Sequence, residues 1–93
     1  MIIGILKLEL FLPAANSLKQ KRMVLKSLKD RVRRVFNVSV AELGNHDKWQ
    51  VAQIGIAAIG IDTRTINSLL DKVINFVTAH GTVTVNDHEI EII

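Results

Sequence analysis

Cysteine is absent from these 93 residues, which excludes disulfides, thiolate catalysis and cysteine-ligated zinc together. Long hydrophobic runs are absent too. The longest uninterrupted apolar stretch, Ile54 to Ile61 with its glycines, is far short of the ~20 residues a spanning helix needs. The opening MIIGILKLEL has no basic lead and is broken by Lys7 and Glu9, a poor pattern for a signal peptide. No internal repeat and no low-complexity linker appears, and the one proline is Pro13. A soluble cytoplasmic protein with no membrane partner is the expectation.

What is present is apolar and regularly patterned. Hydrophobic residues make up 48% of the chain and its mean hydropathy is +0.27, the opposite of a disordered composition. The length suits one small domain with a single core, spanning residues 1–93.

Leu6, Leu8, Leu10 and Leu12 alternate with Lys7 and Glu9, which predicts a strand over Ile2 to Leu12. Pro13-Ala14-Ala15-Asn16 ends it. Ser17 then heads S-L-K-Q, a capping-box pattern in which Ser17 caps a helix and Gln20 reaches back. Leu18, Leu25, Leu28, Val32 and Val35/Phe36 follow with helical spacing. Val38 to Leu43 and Trp49 to Gly60 read as two strands joined through the turn Gly44-Asn45-His46-Asp47. Asp62 or Thr63 caps a second helix with the stripe Ile66, Leu69, Leu70, Val73 and Val77, closed near Gly81.

The last strand, Thr82 to Ile93, carries a fault. Val83 and Val85 are odd-numbered, whereas His88, Ile90 and Ile92 are even-numbered, so a bulge or small turn is expected near Asn86-Asp87. The whole order is βαββαβ, the ferredoxin-like α+β unit. It forms a two-layer sandwich with an antiparallel four-stranded sheet, both helices on one face and strands one and three adjacent.

Such a fold leaves one sheet face open. Alternation assigns to it Ile3, Ile5, Lys7, Glu9 and Phe11, with Val51, Gln53, Gly55, Ala57 and Ile59 beside them. Paired aromatics that would stack bases on the sheet are missing, which argues against sequence-specific readout of single-stranded RNA there. The face is apolar enough to predict a homodimer, scattered exposed aliphatics being the plain alternative.

Charge is distributed unevenly. Between Ser17 and Val35 lie eight of the twelve basic residues against one acid, Asp30, a local charge of +7. The remaining residues are slightly acidic. A cationic element on such a body points to an anionic partner. Lys19, Lys21 and Arg22 crowd the helix start, where cations oppose the macrodipole and where backbone N–H groups favour an anion. Ser17, Lys19, Lys21, Arg22, Lys26, Lys29 and Arg33 are the candidate anion- or RNA-binding residues, with Arg34 extending the potential. They would contact backbone phosphates without reading bases. A solvated face that serves only solubility is the alternative, with some stems packing on apolar surface.

The run S-L-K-Q-K-R from Ser17 to Arg22, the continuation Phe36-Asn37-Val38-Ser39-Val40-Ala41-Glu42 and the turn Asp47-Lys48-Trp49-Gln50 resemble the signature of the YlxP-like family of small bacterial proteins, a domain of unknown function. The resemblance covers most of the chain from the first strand through the second helix. It implies a ferredoxin-like fold in a cytoplasmic bacterial protein. Through frequent gene neighbourhood with translation and ribosome-maturation factors, it also implies a role near RNA or the ribosome. It supplies no established activity and no catalytic residue.

Acylphosphatases run phosphate chemistry on this topology from the loop after strand one, using a cradle with an arginine and a partner asparagine. Here that loop is Leu12-Pro13-Ala14-Ala15-Asn16, with no glycine-rich cradle and no arginine before Arg22. His46 fits a turn, His80 a helix end, and His88 beside Asp87 and Glu89 lacks paired metal-ligand spacing. No metal and no cofactor are expected. Trp49 reads as a packing residue in preference to a partner anchor, and Glu42 as either an outward polar residue or a partner for nearby cations. The sequence thus points to a binding module that contacts RNA, ribosomal RNA included, without catalysis. Its alternatives are a homo-oligomeric module with an acidic protein partner and a phosphate-metabolite binder or hydrolase.

Overall fold

The computed structural model describes every residue from Met1 to Ile93. Strands β1 (Ile2–Phe11), β2 (Ser39–Gly44), β3 (Val51–Gly60) and β4 (Thr84–Ile92) alternate with helices α1 (Leu18–Val35) and α2 (Thr63–Thr78) in the expected βαββαβ order. All pairings are antiparallel and the sheet order is β2-β3-β1-β4, with β1 and β3 central. The fold is ferredoxin-like.

Period-two alternation builds the core. Leu6, Leu8 and Leu10 of β1 and Ala52, Ile54, Ile56 and Ala58 of β3 all turn inward. They meet Leu25, Leu28 and Val32 of α1 and Ile66, Leu70, Val73 and Val77 of α2 in one cluster. Each such Leu, Ile or Val removed from water contributes about 1.5–3 kcal/mol, offset by the entropy of ordering the chain. At Gly4 the layers come so close that a Cβ would lie 2.3 Å from Ile66 Cγ2.

The fault in β4 stands where parity placed it. Glu9 pairs with Asp87 and Leu10 with Val85, so Asn86 has no partner on β1. Val85 thereby reaches the same side as Ile90 and Ile92, all three packed against the core. A second irregularity, in β2, carries no parity signal. Glu42 pairs with Ile54 and Gly44 with Gln53, leaving Leu43 extra. Its side chain lies against Gly55, where a Cβ would come within 2.8 Å of Leu43 Cδ1.

The helix stripes differ from expectation at the ends of α1. Leu18 is only half-buried and Val35 is exposed. The buried line is Lys21, Leu25, Leu28 and Val32. Phe36 ends the helix in extended backbone and packs edge-on against Phe76 of α2, with ring centroids 5.5 Å apart. Beyond α2, Ala79 is the cap, and Gly81 follows two residues later with φ of 88°. No helix is long and apolar enough to cross a membrane.

Candidate functional site

The start of α1 is closed by its own residues. Ser17 Oγ accepts the Gln20 N–H at 3.1 Å. Gln20 Oε1 accepts the N–H of Asn16, one residue earlier than a standard capping box. Ser17 is therefore engaged in building the helix. No acid balances the macrodipole in the first turn, so the cations there carry an uncompensated cost of about 0.3–1 kcal/mol each when exposed.

Lys21 does not stand where a phosphate contact must stand. Only 1% exposed, it occupies the first position of the buried line. Its ammonium lies 3.3 Å from Glu42 Oε2 on β2 and also donates to the Asn45 carbonyl in the β2–β3 loop. The physical reason is spacing: position 21 lies one turn before Leu25 and two before Leu28 on the core-facing side. A buried ammonium needs a carboxylate and a carbonyl to replace its hydration. Glu42 supplies the first, settling its role as a partner for a cation.

The other five basic candidates share one flank. At 100° per residue, Lys19, Arg22, Lys26, Lys29 and Arg33 fall within an arc of about 80°, roughly 100° round from the buried line. Their spacing of three and four residues carries the row along about 20 Å of helix. The flank faces the free edge of β2, because Arg33 Nη2 donates to the Val40 carbonyl at 2.8 Å. Arg22, Lys26, Lys29 and Arg33 line a shallow groove of about 420 Å³ in which Leu25 is the only apolar residue. Of the two acids in that groove, Glu42 is neutralised by Lys21. Asp30 is shared between Lys26 at 3.2 Å and Arg33 at 3.5 Å. Lys19, Arg22 and Lys29 form no ion pair. Arg34 and Arg31 leave the arc, and Arg31 turns toward α2, with Nη1 3.4 Å from His80 Nε2.

Acidic residues gather on the opposite face. Glu9, Asp87, Glu89 and Glu91 are exposed on the open sheet side, with Lys7 in register between Gly55 and Glu89. The β2–β3 half of that side is apolar, and around Ile5, Ala41, Leu43, Gly55 and Ala57 it forms an open hollow of about 390 Å³.

Two features escape sequence reading. Arg33 binds an edge carbonyl, which no spacing announces. Trp49, read as a packing residue, is 52% exposed and lies in a bend before β3 begins at Val51. The signal available for it was its place beside the turn cluster. Histidines 46, 80 and 88 lie apart, and no group of three metal-ligating side chains assembles.

A family model described as "Protein of unknown function (DUF503)" matches residues 3–90. The chain is 40% identical over 76 residues to "Uncharacterized protein YlxP" of Bacillus subtilis (strain 168), covering 82% of this chain and 83% of that protein. With the fold and the matched span in agreement, the chain belongs to the DUF503 family, the YlxP-like proteins of unknown function.

Proposed function

We propose that this protein is a non-catalytic module that holds an RNA phosphodiester backbone, ribosomal RNA included, along the Lys19–Arg33 flank of α1. One observation carries the reading: five cations share an arc, and of the two carboxylates in its groove Glu42 is neutralised from inside by Lys21 while Asp30 pairs with Lys26 and Arg33, which leaves Lys19, Arg22 and Lys29 unpaired. A row about 20 Å long suits a line of phosphates better than one small anion. The acidic sheet side orients the molecule, presenting the helix flank to a polyanion and turning the sheet away. An acidic protein strand added to β2 is disfavoured, because Arg33 already occupies the Val40 carbonyl on that edge. A metabolite pocket is disfavoured by lining, since such sites are concave and mostly apolar whereas this groove is open and charged.

RNA binding measured against salt tests the reading. Each phosphate contact contributes about 0.7 to the slope of log affinity against log salt for a single strand. Loss of binding at low salt, or a flat slope, removes it.

A second reading rests on the apolar half of the open sheet face, where Leu43 and Ile59 are 47% and 64% exposed. We propose that a second copy covers it. A two-fold axis through the small residues Gly55 and Ala57 stacks apolar halves and leaves the two acidic halves at opposite ends. Sedimentation equilibrium tests this: a dimer that Ile59→Lys converts to monomer supports it, and a monomer of 10.4 kDa throughout excludes it.

A further inference from the structure

We infer that Trp49 is a stacking platform for an unpaired nucleobase, set beside the amino-terminal end of the cationic row. The inference rests on the phosphodiester reading above and adds that the preferred RNA is single-stranded or looped.

Trp49 is the only tryptophan and is half exposed in a bend outside the sheet pairing. Its segment is fastened on both sides. Before it, the Asn45 carbonyl accepts the Lys21 ammonium and, at 3.1 Å, the Lys48 N–H. After it, the Gln50 carbonyl accepts the Leu12 N–H at 2.8 Å, and Gln50 Nε2 donates to the Pro13 carbonyl at 3.3 Å. A ring presented from a loop held at both ends loses little freedom when a base stacks on it.

The same bonds decide where the loop stands. Lys21 belongs to the first turns of α1, so its bond to Asn45 brings this loop against the end of the helix that carries Lys19 and Arg22. Lys48, directly before Trp49, is exposed and in no ion pair. A strand whose phosphates run along α1 therefore meets at its end the loop that carries the indole, where the exposed Lys48 and Asp47 offset each other in formal charge. Sequence-tolerant binding of single strands combines these two parts, a basic track and an aromatic face. The open sheet supplies no such pair of parts, since its central strands carry one ring, the half-buried Phe11, and one cation, Lys7, among aliphatics, glycine, Gln53 and Glu9. In a duplex every base is already stacked and paired, so the indole has nothing to receive.

Trp49 is its own probe. Short oligouridine and an RNA duplex of matched length are titrated at low salt, reading indole fluorescence and the anisotropy of labelled RNA. Oligouridine is expected to quench the fluorescence and bind more tightly than the duplex. Trp49→Ala is expected to weaken oligouridine binding about tenfold with an unchanged salt slope, while Trp49→Phe keeps most of the affinity and shows that the loop is intact. Oligouridine binding with no quenching, with equal affinity for Trp49→Ala, or weaker than duplex binding overturns the stacking inference and leaves the phosphodiester reading standing. Binding of neither RNA overturns both.

Discussion

The ammonium of Lys21 stands 3.3 Å from Glu42 Oε2, and the two side chains are 2% and 18% exposed. The pair joins the first turns of α1 to β2, and the added bond to the Asn45 carbonyl ties in the β2–β3 loop. One residue of a basic segment thus serves architecture, and its neighbours at 19, 22, 26, 29 and 33 present the charge.

Lys21→Ala is expected to destabilise the fold by about 2–4 kcal/mol in urea unfolding, slightly below the usual cost of orphaning a buried charge because Glu42 keeps some water. The double variant Lys21→Met, Glu42→Gln should recover most of that loss, since neither side then leaves a lone charge inside. Equal losses in the single and double variants would deny the coupling.

Gly4→Ala is expected to cost about 1–3 kcal/mol, the range for inserting a methyl into a filled core. The new Cβ would meet Ile66 Cγ2 at 2.3 Å and Leu70 Cδ1 at 3.0 Å, so α2 must shift from β1. Gly81→Ala meets no atom within 4 Å, and its cost comes only from a φ of 88°. Thermal midpoints of the two variants separate crowding from backbone strain.

How far the sequence discloses this arrangement depends on whether a signal is local. Parity alone predicts a fault near Asn86-Asp87, because Val85 and Ile90 must share a side of one strand, and the register places it at Asn86. Position 21 lies one helical turn before Leu25 on the buried line, but a lysine there reads as a surface cation, and the sequence stripe omits it. The conflict is resolved by Glu42 and Asn45, which the chain brings alongside only after the β2 hairpin folds. The five-cation arc follows from spacing once position 21 is removed from it. Arg33's bond to Val40, Leu43 lying over Gly55 and the exposure of Trp49 depend on how β2 and the hairpin loop sit, for which no periodicity exists.

His80 gives a pH dependence. Burial first, and the nearby Arg31 second, hold its pKa below the ordinary value of about 6.5. The unfolded chain therefore takes up the proton first as pH falls. Stability is full above about pH 6.5 and declines as pH drops through that value, until the folded form also protonates. Arg31→Gln should raise the folded pKa and shrink the decline, read by NMR titration of the His80 ring and by thermal midpoints across pH. A midpoint independent of His80 would contradict the assignment.

The salt dependence of RNA affinity tests the central claim most directly, compared across the wild type, the triple variant Arg22→Gln, Lys26→Gln, Lys29→Gln, and the double variant Lys21→Met, Glu42→Gln. Five contacts predict a wild-type slope of about −3.5 in log affinity against log salt, shallower by about 2 in the triple variant and unchanged in the double. No binding at low salt, or a slope that the triple variant leaves intact, would contradict the account.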